Sequence, residues 1–385
     1  MQKIKFKILE TLVGLGLLLR AALGLKFETV KRLLALDTLF SPKKMVHNFT
    51  HMDEILVTTP LNVAPDNASP LPANPQEMPD MSGWVTARGI TALVVLKDGA
   101  LAHESYYRGT TDTDLRLSWS VSKSFVSALI GILLAEGEID SVDDPVVKYA
   151  PALKGSAYER ASIRNVLNMA SGVDFNETYL DFFADINRMG RVLASGGSLD
   201  AFTAGLKNTA GTPGTAWLYA SMDTHVLGMV ICAATGRDMA DLLVEKLLNP
   251  IGAEADGYLI TDSHGNPFML GGLNLRSRDY ARFGLLYAQN GFMNGRQIVP
   301  ADWVAQSTSD SSPQTPPEFG YGLHWWLPAN ARKGEFLARG VHGQFIYVNQ
   351  PQRVVIAVSS ADDIPEDDAV FAENIAMFRR ISDGL

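Results

Sequence analysis

Cysteine is almost absent from this chain, because its 385 residues contain one, Cys232. A single thiol excludes a disulfide framework and a cysteine-rich metal site, and it leaves the cellular compartment open. Basic residues are also outnumbered, with 33 Lys and Arg against 42 Asp and Glu and a formal net charge of -9. This acidic balance argues against a nucleic-acid partner, which requires a basic face to neutralise phosphates.

The N-terminus lacks an apolar run of transmembrane length. Lys3, Lys5 and Lys7 precede an apolar stretch, as in a signal peptide, but Glu10 and Arg20 enclose an uncharged run of only nine residues. We expect residues 1–25 to form a helix that packs on the body or lies at a surface, with a signal or anchor as the alternative. The predicted location is cytoplasmic, and a periplasmic or membrane-associated protein is the alternative.

Several sequence motifs that carry chemistry are absent. The chain contains no G-x-G-x-x-G or P-loop for a nucleotide, no H-E-x-x-H for zinc and no G-x-S-x-G of an α/β-hydrolase. We therefore expect no metal and no cofactor.

The patterns that are present predict an α/β (α+β) protein. Asp98-Gly99 lies between two apolar runs in 90–107 and predicts a β-hairpin, because both residues tolerate the positive φ of a tight turn. Residues 120–136 are apolar nearly all round and predict a buried helix. Residues 337–360 predict two β-rich runs around Asn349-Gln350-Pro351, and an amphipathic helix is expected at roughly 368–381.

The middle of the chain reads as mainly helical. Ser162 is expected to cap a short helix that ends near Gly172, and residues 222–248 predict two helices broken at Gly236. Together these patterns predict an antiparallel sheet that is flanked by helices. The sheet is built from both ends of the chain, and a helical insertion lies between those ends in sequence. We expect residues 1–79 to form an N-terminal helix and an extended arm. Residues 80–165 and 266–385 are expected to form an α/β sheet domain, and residues 166–265 a mainly helical domain. The active site is expected between these two domains.

The first chemical signal is Ser120-Val121-Ser122-Lys123, an S-x-x-K at the start of the buried helix. Residues i and i+3 share a helix face, so the lysine amine can reach the serine hydroxyl. Burial and nearby cations would lower the pKa of the amine and make it a base toward the serine. A capping serine beside a solvated lysine is the alternative. A second S-x-x-K, Ser41-Pro42-Lys43-Lys44, lies in a Pro-containing arm and is not expected to be catalytic.

Two further segments point to the same chemistry. Tyr219-Ala220-Ser221 follows a Gly/Pro-rich loop, where a phenol can act as a proton shuttle, although a core tyrosine is the alternative. Residues 340–344, Gly-Val-His-Gly-Gln, are predicted to start a strand whose N–H groups can face an oxyanion, with an ordinary strand entry as the alternative.

These three segments, in this order, resemble the serine β-lactamase and penicillin-binding protein superfamily. The most similar branch is class C-like, with class C β-lactamases, DD-peptidases, family VIII carboxylesterases and 6-aminohexanoate-dimer hydrolases. Residues 161–179, 271–284 and 321–326 are similar to this group as well, so the resemblance covers roughly 80–385. It implies a β-lactamase-like fold and hydrolysis through an acyl-enzyme, without a metal.

The resemblance also implies roles for matching residues. Ser120 would be the acylated nucleophile, Lys123 its neighbouring base and Tyr219 the second proton-relay group. The oxyanion hole would consist of the backbone N–H groups of Ser120 and Gln344.

Two departures from the superfamily pattern bear on the substrate. Ser221 stands where Tyr-x-Asn has its asparagine, and Val341-His342-Gly343 stands where Lys-Thr-Gly is usual. The cation of the last triplet is thereby absent, and His342 lies one residue later than the position it would fill. Both changes count against tight recognition of a penicillin and are tolerable in an esterase or amidase.

The 6-aminohexanoate-dimer hydrolase branch implies further substrate contacts, from Tyr179 and Asn274. A surface aromatic and a turn former are the respective alternatives. Trp326 would line an apolar pocket or belong to the core. Together with these, Ser221, His342 and Gly343 are the predicted substrate-binding residues.

The predicted function is that of a serine hydrolase acting on small esters or amides. A β-lactamase or DD-peptidase is one alternative, and a penicillin-binding-like module without turnover is the other. The expected partner is a small-molecule ester or amide and not a nucleic acid. Weak membrane association through residues 1–25 and a homodimer are left open.

Overall fold

The structure, a computed structural model, describes residues 27–385. The predictions made for residues 1–25, a helix, signal or anchor, therefore lie outside the described residues.

The helices occupy the N-terminal arm, the middle and the end of the described chain. They are α1 Phe27–Asp37, α2 Met45–Thr50, α3 Ser82–Ala87, α4 Ser122–Glu136, α5 Ile163–Leu167, α6 Asp185–Ser195, α7 Leu199–Gly205, α8 Ser221–Thr235, α9 Met239–Leu243, α10 Asn249–Ile251, α11 Ser277–Ala288, α12 Ala301–Ser307 and α13 Asp368–Asp383. A π-helical turn, Val244–Leu248, joins α9 to α10. Short 3₁₀ turns lie at Met52–Glu54, Pro65–Asn67, Trp119–Val121, Val146–Lys148 and Pro151–Leu153.

The strands fall into a large sheet, a small sheet and a hairpin. They are β1 Thr58–Leu61, β2 Ile90–Lys97, β3 Ala100–Tyr106, β4 Arg116–Leu117, β5 Gly257–Ile260, β6 Leu273–Leu275, β7 Phe292–Met293, β8 Arg296–Gln297, β9 Phe319–Tyr321, β10 Trp326–Pro328, β11 Glu335–Gly340, β12 Gln344–Asn349 and β13 Val354–Ser360.

The large sheet confirms the predicted architecture. Its seven strands run β3-β2-β13-β12-β11-β10-β9, and all neighbours are antiparallel. Strands β2 and β3 come from one end of the chain and β9 to β13 from the other, with the helical segment between them in sequence. The predicted hairpin is present, with φ of 54° at Asp98 and 82° at Gly99.

The run predicted for 337–349 is wrong in one respect, because the structure breaks it into two strands. β11 ends at Gly340 and β12 begins at Gln344, and the turn between them has φ of 59° at His342 and 81° at Gly343. A positive φ at a histidine is uncommon, so the pattern of apolar residues did not indicate a turn. This break moves the third motif from a strand start to a hairpin turn.

Helix α4 is the centre of the core, as predicted from its composition. Nearly all of its residues are buried, and it ends at Gly137, which adopts a left-handed φ of 76°. Residues Trp119–Glu136 form the one described helix with the length and hydropathy of a membrane span, and most of that stretch is buried inside the protein. This burial is typical of the core helix of a folded domain.

The helical segment follows the prediction with one shift. Gly236 separates α8 from the next helix with φ of 64°. Ser162 and Asn165 form a capping box at the start of α5, but this helix ends at Leu167, short of Gly172. Met169, with φ of 52°, cannot continue a right-handed helix.

The arm is attached at intervals, and β1 joins the small sheet β1-β5-β6-β4. The backbone N–H groups of Val63 and Ala64 donate to Asp256 and Asn249, at 2.9 and 2.8 Å. The division of the chain into an arm and two domains remains a prediction.

Candidate active site

The two outer residues of the S-x-x-K segment are in direct contact. Ser120 lies in the 3₁₀ turn that leads into α4, and Lys123 lies in the first turn of that helix. The Nζ of Lys123 is 3.0 Å from the Oγ of Ser120 and donates a 2.7 Å hydrogen bond to the carbonyl oxygen of Leu270. Only 2% of Lys123 is exposed. In the second S-x-x-K, by contrast, Lys44 is exposed and donates to Thr38.

The environment of Lys123 favours its neutral amine. Burial lowers its pKa from 10.5 to about 7, while the carboxylates of Glu177 and Asp223 act in the opposite direction. The expectation that nearby cations would help is not met, because the charged groups that act on Lys123 are carboxylates. Desolvation is therefore the cause of the lowered pKa.

Glu177 is a site residue that the sequence reasoning missed. Its two oxygens accept hydrogen bonds from the Oγ and the N–H of Ser221, at 2.5 and 3.0 Å. The Nζ of Lys123 lies 3.3 Å from the same Ser221 Oγ, so Ser221 links the amine to the carboxylate. Burial raises the pKa of Glu177, and Lys123 opposes that rise. The position of Glu177 two residues before Tyr179 was the only signal in the sequence.

Asp223 is a second missed group, two residues after Ser221 in the first turn of α8. It is fully buried, and its Oδ1 accepts hydrogen bonds from Tyr158 at 3.0 Å and Ser171 at 2.8 Å. Burial raises its pKa to about 8. Asp223 therefore adds a second titratable group whose charge acts on Lys123.

Tyr219 borders the space beside Ser120. Its ring centroid is 5.4 Å from the Nζ of Lys123 and 5.6 Å from the ring of Trp326. Burial is the largest cause that raises the pKa of Tyr219 above its ordinary value, and the nearby Ser120 hydroxyl opposes the rise. A phenol held neutral in this way can donate a proton. Trp326 itself is buried and borders the same cleft.

The strand next to Ser120 is β11, and its last residues border the site. A narrow cleft beside Ser120 is lined by Arg339, Gly340 and Val341. Gly340 approaches the nucleophile so closely that an added Cβ would lie 2.8 Å from Ser118 O and 3.0 Å from Ser120 N. A glycine is therefore needed here for close backbone approach.

Gln344, predicted to supply an oxyanion-hole N–H, does not border the narrow cleft beside Ser120. Its side-chain amide donates to the carbonyl oxygens of His342 and Ser360, at 3.0 and 2.8 Å, and it begins β12 beyond the turn. Val341, by contrast, borders the cleft, and its N–H has no hydrogen-bond partner among the described residues. Within this segment, the residue that borders the cleft is therefore Val341, before the hairpin turn, and not Gln344, after it.

The remaining predicted contacts separate into two groups. Tyr179 borders the space around Ser120 and donates a 3.1 Å hydrogen bond to Glu177. Asn274, however, is fully buried in β6 and donates to Gly272 O, and Gly343 packs against Ser360. Neither Asn274 nor Gly343 borders the cleft. Asn274 packs within strand β6, and Gly343 lies in the turn before β12.

His342 lies in the wall of a second, larger cavity that also reaches Ser120. Its ring stacks on Phe40 with centroids 4.8 Å apart, and its Nδ1 is 2.8 Å from Asp362 O. Burial lowers the pKa of His342, so the ring is neutral near pH 7. It is placed to make an apolar rather than a charged contact.

A cation is present in the narrow cleft after all. The guanidinium of Arg339 lies over the ring of Trp326 at 5.0 Å and pairs with Glu366 at 3.5 Å. A cation was sought in the sequence at position 341, and Arg339, two residues earlier, was not considered.

Among the described residues, one partly exposed group of side chains could hold a metal ion away from this cleft. His47, His51 and Glu54 on the arm have ligand atoms within 4.8 Å of one another. The two histidines are four residues apart, a helical spacing that a search for H-E-x-x-H overlooks.

Comparison with known proteins identifies the family of the chain. The model of the Beta-lactamase family matches residues 84–377. A 6-aminohexanoate-dimer hydrolase from Paenarthrobacter ureafaciens is 29% identical over 351 residues, which cover 85% of this chain and 88% of that protein.

Solved structures show the same fold. A Bacillus anthracis protein, provisionally named a 6-aminohexanoate-dimer hydrolase, superposes with a TM-score of 0.81 at 23% identity, over 89% of this chain and 95% of its own. A family VIII carboxylesterase has a TM-score of 0.58 at 16% identity, over 76% of this chain and 92% of its own. On the match of the family model, the chain belongs to the Beta-lactamase family of hydrolases.

Proposed function

We propose that this protein is a serine hydrolase that cleaves small esters or amides through an acyl-enzyme on Ser120. One observation carries the proposal: the buried Nζ of Lys123, whose pKa is lowered to about 7, lies 3.0 Å from the Ser120 Oγ. A neutral amine at hydrogen-bond distance from a hydroxyl is the arrangement of a general base and its nucleophile.

The proton follows a short path in this proposal. Lys123 accepts the Ser120 proton as Oγ forms a bond to the substrate carbonyl carbon. Tyr219, in the same cleft as Ser120, donates a proton to the departing alcohol or amine and is reprotonated from Lys123. Water then attacks the acyl-enzyme, releases the acid and restores the Ser120 hydroxyl.

The oxyanion is held by backbone N–H groups. Ser120 supplies one from the 3₁₀ turn that leads into α4, where the helix dipole favours negative charge. Val341 replaces Gln344 as the second donor, because it borders the cleft and its N–H has no partner among the described residues. Removal of one such donor from an enzyme typically costs about 10²–10³ in kcat.

A β-lactamase or DD-peptidase is the second candidate, and Arg339 is the observation that favours it. A cation in the cleft could hold a substrate carboxylate. Glu366 pairs with Arg339 at 3.5 Å and already neutralises it, so the ester or amide assignment is preferred. The name of the Paenarthrobacter relative makes the linear dimer of 6-aminohexanoate a suitable test amide.

The test begins with a fluorophosphonate and intact-mass analysis. We expect one adduct on the wild-type protein that maps to Ser120 and is lost in Ser120→Ala. Ser41→Ala, in the second S-x-x-K, is the matched control and should label like the wild type. A panel of p-nitrophenyl acetate, the 6-aminohexanoate dimer and nitrocefin then ranks ester, amide and β-lactam.

The outcomes separate the candidates. Turnover of the ester or the amide above nitrocefin supports the proposal, and the reverse order favours a β-lactamase. A stable acyl-enzyme without turnover would instead support a penicillin-binding-like module. No adduct on folded protein would contradict the proposal.

A further inference from the structure

Two spaces of different character meet at Ser120. One is the narrow cleft of Tyr219, Arg339 and Glu366 described above. The other is a cavity of about 950 Å³, which also reaches Ser120 and Ser221. Its volume is at the upper end of the range of about 300–1,000 Å³ used by small-molecule sites. A carbonyl carbon at Ser120 would thus have room for one large and one small substituent.

The walls of this cavity are apolar. The arm forms one wall and α6 with its preceding loop the other, and α1 packs against α6. The apolar side chains that line these walls are Leu33, Leu36, Met45, Ile186, Met189 and Leu193.

Charge is almost missing from this lining. Among the described residues that border the cavity, only Arg191 and Asp363 are charged. Asp363 is exposed, and Arg191 is held by Phe182, with its Nη1 donating to the Phe182 carbonyl at 2.8 Å. A charged or zwitterionic group inside the cavity would therefore lose its hydration without gaining a partner, which is unfavourable.

The rim of the cavity is also apolar. Phe40, Leu180 and Phe182 border it and are largely exposed, with Leu180 at 91%. Exposed apolar groups that cluster in this way mark a binding region rather than an ordinary surface. The entrance therefore favours a ligand with a hydrocarbon chain.

We propose that this cavity binds the hydrocarbon acyl chain of an ester, so that the preferred substrates are esters of medium- to long-chain fatty acids. The assignment rests on the proposed function, since Tyr219 is the group that protonates the leaving group. Tyr219 borders the narrow cleft and not the cavity, so the leaving group occupies the cleft. The acyl chain then extends into the apolar space.

The first experiment compares two series of esters. In the p-nitrophenyl series from acetate to laurate, kcat/KM should rise by up to about fourfold for each buried methylene, until the cavity is full. In a matched series of acetates, the alcohol is lengthened instead, and no such rise is expected. A flat or falling acyl series, with acetate still hydrolysed at Ser120, would overturn the inference and leave the proposed function intact.

Gly190 offers a way to fill the cavity. It lies on α6 in the cavity lining, and an added Cβ would meet nothing within 4 Å. In Gly190→Phe, the ratio of kcat/KM for decanoate to that for acetate should fall at least tenfold. Gly190→Leu is the smaller substitution if the first variant does not fold. An unchanged ratio in a folded variant would contradict the inference.

Gly205→Phe is the matched control. Gly205 is also helical, is exposed, and has open space around an added Cβ, but it does not border the cavity. Its decanoate-to-acetate ratio should equal that of the wild type.

A binding measurement separates the two levels of the argument. Calorimetry with 1-decanol, which is not hydrolysed, should show binding with a negative heat-capacity change in Ser120→Ala and weaker binding when Gly190→Phe is added. Binding of decanol without hydrolysis of any ester would refute the proposed function alone. Hydrolysis of acetate without decanol binding would refute the acyl-chain site alone.

Discussion

The hydroxyl of Ser221 donates a 2.5 Å hydrogen bond to the carboxylate of Glu177. Since the same hydroxyl lies 3.3 Å from the Nζ of Lys123, a half-buried carboxylate is coupled to the amine that contacts Ser120. The asparagine usual at this position in the superfamily is thus replaced by a residue that joins the proton network. The charge of Lys123 depends on this link as well as on burial.

Loss of the lysine amine should abolish turnover. In Lys123→Ala, kcat/KM for an ester should fall by about 10²–10⁴, because the general base is removed. Circular dichroism should show an intact fold, and Lys44→Ala in the second S-x-x-K is the matched control with normal activity. Activity of Lys123→Ala within tenfold of the wild type would contradict the base role.

The pH profile should report the titration of Lys123. With a pKa of about 7, kcat/KM should rise as the pH passes through about 7 and the amine becomes neutral. The Glu177 carboxylate stabilises the charged amine, so Glu177→Gln should lower the pKa of Lys123 and move this acid limb to lower pH.

The control for this shift is Glu138→Gln, since Glu138 is exposed and outside the network. Its profile should overlay that of the wild type. A limb that stays in place or moves to higher pH in Glu177→Gln would show that the carboxylate does not act on Lys123.

Gly340→Ala should slow catalysis without unfolding the protein. The new Cβ would lie 2.8 Å from Ser118 O and 3.0 Å from Ser120 N, so the nucleophile must shift. A displacement near 1 Å can cost about 100-fold in rate. Gly83→Ala is the control, because a Cβ there meets nothing within 4 Å. Equal kcat/KM values for the two variants would mean that the close approach of β11 is not required.

Replacement of His342 should change substrate preference. His342→Asn keeps a residue that tolerates the positive φ but removes the ring that stacks on Phe40 in the cavity wall. We expect the relative kcat/KM values over a panel of acyl esters to change, while labelling of Ser120 persists. His103→Asn, on β3, serves as the comparison. The same selectivity in all three proteins would remove His342 from the substrate site.

The parts of the site that were predictable are local in the chain. The contact between Ser120 and Lys123 follows from i,i+3 geometry at the start of a helix, and the Asp98-Gly99 hairpin follows from turn chemistry. Both features depend only on residues that are near in sequence, so a short stretch of the chain is sufficient to predict them. Glu177 and Val341 could not be found in this way. Glu177 is linked to Lys123 through Ser221, and Val341 borders the cleft at Ser120, only because distant segments pack together.

Strand register distinguishes Gly340 from Gly343, which the sequence alone could not do. The sequence around 340–344 contains two glycines, and either Gly340 or Gly343 satisfies a pattern that ends in glycine. Only the pairing of Gly340 with Gln344 across the hairpin shows that Gly340 faces the nucleophile and Gly343 the turn. The local sequence pattern cannot distinguish the possible strand registers, because they differ in hydrogen bonds between residues that are distant in sequence.

Residue order along the chain was enough to establish the antiparallel sheet, the buried helix α4 and a serine paired with a lysine, since periodicity and short spacings encode these features directly. Three-dimensional packing decided the rest. The pKa of Lys123 falls because other segments exclude water from it, and the large apolar cavity exists because the arm closes over α6. Dielectric environment and cavity shape are properties of many segments together, and no single stretch of the chain specifies them.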